Sequence, residues 1–329
     1  MRSIRIVSAA AALTLACLLP QPGFADDSSV PEQIVDTMNQ LWGRHPGIRA
    51  NHAKGIVVEG SFVPSAEGAK LSTAIVFKSG TIPVIARFSD ATGLPTIADG
   101  SANANPHGFA VRFQLPDGGE MDVVTNSLAF FPVATGEEFR DLLQAVAMTG
   151  PDAAKPTPVE RFMAAHPAAP QAFASVATPT SFAREIYNGV NAFVFVDAAE
   201  KRQPFRFQLV PVEGAEHLSA AEAAKRGPDF LTEELRARLA KQPVAFRLLA
   251  QLAEPGDPID DATKPWPAER REVDLGTITL TKPVADNAAA EKELLFLPSN
   301  LTDGIEPSDD PLIDTRVQAY AVSFDRRSQ

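Results

Sequence analysis

The sequence predicts an α+β chain built on a closed, eight-stranded antiparallel β-barrel with peripheral helices and a helix at its C-terminal end. Eight segments read as strands: 56–62, 82–89, 108–115, 120–126, 191–197, 203–211, 243–250 and 272–280. The Pro116-Asp117-Gly118-Gly119 turn joins two of them as a hairpin. Helical stretches are inserted between the strands, and closing such a sheet into a barrel leaves no exposed edge.

The elements follow in order. Arg2 and Arg5 precede an apolar run from Ile6 to Pro20, and Gly23-Phe24-Ala25 supplies small residues before a cleavage point. Residues 1–25 are therefore expected to be a secretory signal peptide cut before Asp26, leaving 26–329 as one domain. The run is too short for a comfortable membrane span. Thr14, where a lipoprotein signal usually has Leu before a cysteine such as Cys17, argues against lipidation. From Pro31 to Trp42 a short helix is expected, with Ile34, Met38 and Leu41 on one face.

In 82–89, Ile82, Val84, Ala86 and Phe88 face one way while Ile85, Arg87 and Ser89 face the other. In 108–115, Phe109, Val111, Phe113 and Leu115 share a face. In 272–280 the apolar positions slip from Val273 and Leu275 to Ile278 and Leu280, and Gly276 marks the slip as a bulge would. Helical inserts are expected at 136–149, 158–175 and 218–241. The last helix runs from about Pro311 to Phe324, and Ile313, Arg316, Val317, Tyr320, Phe324 and Arg327 share one face at intervals of three and four.

Composition narrows the function. The 329 residues carry a formal charge of −11, which argues against nucleic acid or anionic lipid as a partner. Cys17 is the single cysteine and lies in the leader. The exported chain thus has no disulfide, thiolate nucleophile or cysteine-ligated metal. Its fold rests on packing, aided at most by a cofactor.

Three places carry candidate chemistry. Arg316 stands one helical turn before Tyr320 and brings a positive charge towards the phenol oxygen, although a salt-bridged arginine beside a core tyrosine has the same spacing. His52 lies in Arg49-xx-His52-Ala53-Lys54-Gly55. A hydroxyl such as Ser89 would orient one ring nitrogen and leave the other free. Arg87 shares a strand face with Ser89, so one strand offers a histidine-orienting group and a carboxylate-binding group. The third is Asp122-xxx-Asn126, a strand with a polar end that runs on to Phe130 and Phe131.

With Arg87-Phe88-Ser89, Gly108-Phe109-Ala110-Val111-Arg112-Phe113, Thr263-Lys264-Pro265-Trp266, Pro298-Ser299-Asn300 and Gly304-Ile305, these motifs occur in an order that resembles the haem catalases, and more closely the smaller catalase-related peroxidases. The resemblance runs from about Arg44 to Arg327. It implies an eight-stranded barrel binding haem b (iron), with Tyr320 as the proximal metal ligand on the last helix and Arg316 as its charge partner. His52 matches the distal histidine and Ser89 the residue that orients it. Arg49, Arg87 and Arg327 match haem-propionate arginines, and Phe130 would pack near the porphyrin. The implied partners are a peroxide substrate and a small-molecule electron donor; oligomeric state stays open.

The chain departs from the large catalases in three ways. Counting back from Phe130 and Phe131, their paired asparagines fall on Thr125 and Asn126, which face opposite ways on a regular strand. Asn126 is the favoured peroxide-binding residue, unless a bulge turns Thr125 inward. Asn51 precedes His52 where an apolar residue is usual. The chain is also much shorter, lacking a long N-terminal arm and extra C-terminal helices. The expected function is a haem peroxidase acting on hydrogen peroxide or organic hydroperoxides. Rival readings are a hydroperoxide isomerase, a non-catalytic haem-binding barrel and a haem-free barrel for small ligands. The leader implies export, to the periplasm if the host has two membranes.

Overall fold

The computed structural model describes residues 28–329, so the expected leader, its cleavage point and Cys17 lie outside the described residues. Within them the strands are β1 (Gly55–Pro64), β2 (Ile82–Ser89), β3 (Gly108–Gln114), β4 (Glu120–Asn126), β5 (Tyr187–Asn188), β6 (Phe193–Val196), β7 (Arg202–Pro211), β8 (Val244–Leu252), β9 (Glu272–Pro283) and β10 (Ile305–Pro307). The helices are α1 (Val30–Trp42), α2 (Gly68–Leu71), α3 (Gly136–Ala147), α4 (Pro158–Ala165), α5 (Ala168–Ala174), α6 (Ala220–Ala223), α7 (Phe230–Leu239), α8 (Asn287–Glu293) and α9 (Pro311–Ser328).

The ring runs β1-β2-β3-β4-β5-β7-β8-β9 and closes where β9 pairs with β1, every pairing antiparallel. The expected eight-stranded barrel is therefore present, with one substitution in its membership. The segment expected at 191–197 is β6, which lies beside the first half of β7 and carries β10 on its outer edge. The place next to β4 is taken by the two-residue β5, through Asn126 opposite Asn188. A strand of two residues leaves no alternation to read.

Inward-facing aromatic residues fill the barrel. Phe88 stacks on Phe109 at 4.2 Å, and Phe109 meets Phe246 at 4.8 Å and Tyr187 at 5.1 Å, all fully buried. The Tyr187 hydroxyl donates to the Phe182 carbonyl at 2.9 Å, which satisfies the polar tip of an otherwise apolar core. The filled interior leaves a ligand site to be built on the outer wall.

That wall is covered by helices. Ile34, Val35 and Met38 of α1 pack with Leu143 of α3 and Ala319 of α9 in a second apolar cluster. Glu32 completes a capping box with Ser29 at the start of α1. The expected helix at 158–175 is split into α4 and α5 at His166-Pro167, because a residue before proline avoids helical geometry. The stretch 218–241 divides likewise at Gly227-Pro228. Helix α9 runs on to Ser328, beyond the expected Phe324.

The expected slip in β9 is a bulge: Leu248 pairs with Gly276 but Leu249 pairs with Asp274. Gly276 has φ +143°, and a Cβ there would stand 2.4 Å from the Val63 carbonyl oxygen. Gly276→Ala should therefore destabilise the fold by roughly 1–3 kcal/mol or more. Urea unfolding checks this, and an unchanged midpoint would show that the bulge accepts a side chain.

Candidate active site

A cavity of about 1220 Å³, counting its open mouth, lies between the outer faces of β2, β3 and β4 and the helices α1, α3 and α9. Strand register explains its polar floor. Ser89 pairs with Gly108, and Gly108 pairs with Asn126, so the three sit in one row across the sheet. Phe88, Phe109 and Thr125 form the adjacent row. A side chain at Gly108 would come within 2.7 Å of Ser89 Oγ and 3.1 Å of His52 Nδ1, so the missing Cβ is what lets the histidine lie on the sheet.

His52 enters from the loop before β1. Its Nδ1 lies 3.0 Å from Ser89 Oγ, which leaves Nε2 for the cavity. Its backbone is left-handed, at φ +53°, a conformation that costs energy and persists where neighbours hold it. Here Arg87 Nη2 donates to the His52 carbonyl at 2.7 Å, and the next amide, of Ala53, donates to Thr92 at 3.0 Å. Burial, then the Arg87 charge, pushes the imidazole pKa down to about 3, so the ring is a neutral base at ordinary pH.

Asn126 shares the cavity face with Gly108. Its Oδ1 accepts from the Leu128 amide at 2.9 Å, which leaves the Nδ2 hydrogens to donate. Thr125 also borders the cavity, but its hydroxyl donates to the Phe109 carbonyl at 2.6 Å. No bulge interrupts β3–β4 there.

From α9, Leu312, Thr315, Arg316, Ala319, Tyr320, Ser323 and Arg327 border the cavity. The helix thus presents a face turned by about one residue from the expected stripe. Ile313 instead joins the barrel core, and Val317 and Phe324 are not among the lining residues. Arg316 Nε donates to Tyr320 Oη at 3.2 Å, and its Nη1 donates to Asn191. Phe131 lines the cavity and packs on Phe139 at 5.5 Å, whereas Phe130, expected in that role, is not a lining residue. The chain has left β4 by then, and the Phe131 amide is fixed to the Ala262 carbonyl at 2.8 Å.

Arg49, Arg87 and Arg327 converge at one end of the cavity. Burial lowers the pKa of Arg49, with the Arg87 charge second, and lowers that of Arg327 to about 10. Glu291 of α8 pairs with both Arg49 and Arg87, and Leu294 supplies its carbonyl to Arg49 and Arg327, at 2.6 Å each. Helix α8 and Glu291 were missed in the sequence, since Asn287-Ala288-Ala289-Ala290 has no apolar stripe to read.

Asp90 and His107 were also missed. They follow Ser89 and precede Gly108, beyond the paired ends of β2 and β3, and both are buried. His107 Nε2 lies 3.5 Å from Asp90 Oδ1, and neither side chain has a hydrogen-bond partner of good geometry. Burial, helped by the Asp99 charge, pushes the Asp90 carboxyl up to about 9, while burial takes His107 down to about 3.

A model of the catalase family matches residues 33–328. The chain is 35% identical over 302 residues to a catalase-related peroxidase of Mycolicibacterium paratuberculosis, covering 91% of this chain and 95% of that protein. It is likewise 35% identical over 312 residues to a catalase-related peroxidase of Synechococcus elongatus, covering 93% and 91%. The crystal structure of a fungal catalase superposes with a TM-score of 0.77 at 21% identity, over 86% of this chain and 59% of that one, which shows the shared fold.

The Asp90 shift carries a stability consequence. Between about pH 4 and pH 9 the folded carboxyl holds a proton that the unfolded one has released, so its contribution is full below that window and is lost as pH rises through it. Asp90→Asn should remove about one proton from the alkaline decline in stability between pH 7 and pH 9. Urea midpoints across that range check it, and a decline equal to wild type would contradict it.

Proposed function

The chain belongs to the catalase family, and on that premise we propose that it is a haem peroxidase reducing hydrogen peroxide or organic hydroperoxides with electrons from a small donor. The observation that carries this is one cavity bordered by both the His52–Ser89 pair and the Arg316–Tyr320 pair. A carrier would need no buried neutral base beside a hydrogen-bond donor.

The residues fit haem b. Three guanidiniums gather at one end of the cavity, and a single protein carboxylate, Glu291, pairs with two of them, Arg49 and Arg87, while Arg327 bonds only backbone carbonyls. That excess of positive charge suits two propionates. Ile34, Val35, Met38, Phe131, Phe139, Leu295 and Phe296 supply apolar surface for a macrocycle. Tyr320 would be the iron ligand, with Arg316 Nε donating a hydrogen bond to its oxygen. Bound haem supplies the iron at which the O–O bond is broken and which passes on the donor's electrons.

The protein's part is proton handling and orientation. His52, kept neutral, accepts the peroxide proton at Nε2 and returns it to the departing oxygen, as base and then acid. Ser89 keeps Nδ1 engaged, so the ring stays aimed. Asn126 Nδ2 donates to a peroxide oxygen. The balance is one hydroperoxide, two electrons and two protons to one alcohol and one water. We place this chemistry outside the cytoplasm, consistent with the leader-like residues 1–25.

His52→Ala should keep its haem but consume organic hydroperoxide about 10²–10⁴-fold more slowly in stopped flow with excess donor. An unchanged rate would remove His52 from the mechanism. Asn126→Leu should slow the same reaction more than Thr125→Val; the reverse order would place the peroxide against Thr125.

A further inference from the structure

Helix α8 buries no residue, yet it is held on the barrel by two side chains one turn apart. Asn287 Oδ1 accepts from the Val57 amide at 2.8 Å and its Nδ2 donates to the Gly55 carbonyl at 3.3 Å. That part of β1 lies outside its paired register with β9, which begins at Val58, so the side chain satisfies a bare strand edge. Four residues on, the Glu291 carboxylate accepts from Arg87 Nε at 2.7 and 2.8 Å and from Arg49.

The direction of these contacts matters. Arg49, Arg87 and Arg327 all border the cavity, and Glu291 does not. The carboxylate therefore grips the guanidiniums from behind. The carbonyls at the end of α8 do the same: Arg49 Nη2 donates to Leu294 at 2.6 Å, and Arg327 donates to Leu294 at 2.6 Å and to Lys292 at 3.3 Å. One anion cannot neutralise three cations, so uncompensated charge is left towards the cavity.

We propose that Glu291 is a positioning residue for the cofactor's carboxylates: it fixes Arg49 and Arg87 before the cofactor arrives and remains behind them afterwards. The proposal rests on the haem reading above. A carboxylate in front of the arginines would compete with an incoming carboxylate, and its removal would tighten binding. One behind them supports that binding, and its removal loosens it. Free arginines would also repel one another and lose their common aim.

The test measures loss of two ferric porphyrins from the loaded protein to excess apomyoglobin. One is haem b and the other its dimethyl ester, whose capped propionates bring no anion to the arginines. Glu291→Gln should lose haem b about tenfold or more faster than wild type, while ester loss changes less than about twofold. Asn287→Ala loosens α8 from β1 but keeps the Glu291 carboxylate on its arginines, and should accelerate haem b loss less than Glu291→Gln does. Equal acceleration of both porphyrins in Glu291→Gln would reduce the residue to a pin for α8 and overturn the proposal. Slower loss of haem b would overturn it too, by placing Glu291 in competition. Wild-type protein that takes up neither porphyrin would instead overturn the haem reading, and this proposal with it.

Discussion

The register of β2, β3 and β4 is the constraint from which the site follows. Phe88, Phe109 and their neighbours fill the barrel, so the alternate residues must face out. Ser89, Gly108 and Asn126 are those alternates, aligned across three strands. A slip of one residue would drive Ser89 and Asn126 into an aromatic core and turn phenylalanine outward. The cost of burying those polar groups beside aromatic rings, and of exposing the rings, is what fixes the floor of the cavity.

The rest of the site is laid on that floor by elements distant in sequence. His52 arrives with left-handed backbone and is held by Arg87, which belongs to the same strand as Ser89. Arg87 thus has three duties: it fixes the His52 backbone, it helps keep the ring neutral, and it joins the cationic end of the cavity. Helix α9 brings Arg316, Tyr320 and Arg327 along one face, spaced by about one and then two turns. His52, Tyr320 and the three arginines are therefore held relative to one another by the sheet, α8 and α9.

Long strands with clean alternation were legible, because a full barrel interior demands apolar residues at every second position. The Gly276 bulge was legible for the same reason, as a break in that alternation. Strand β5 was not, since two residues carry no period and their place is set by Asn126 and Gln208 on either side. The cavity face of α9 lies about one residue from its apolar stripe, because apolar periodicity does not separate a side chain in the barrel core, such as Ile313, from one facing the cavity, such as Leu312. Phe131 rather than Phe130 borders the cavity because the chain has left the strand before reaching them. Glu291, Asp90 and His107 carried no pattern at all: their roles arise from what lies beside them in space.

In the proposed function Tyr320 would be the iron ligand in this cavity. The most direct measurement is the absorption and electron paramagnetic resonance spectrum of the ferric haem-loaded protein, wild type against Tyr320→Phe. Wild type should give a high-spin, phenolate-ligated spectrum that is lost in the variant, with haem bound weakly or not at all. A variant with the same spectrum and the same haem content as wild type would contradict it.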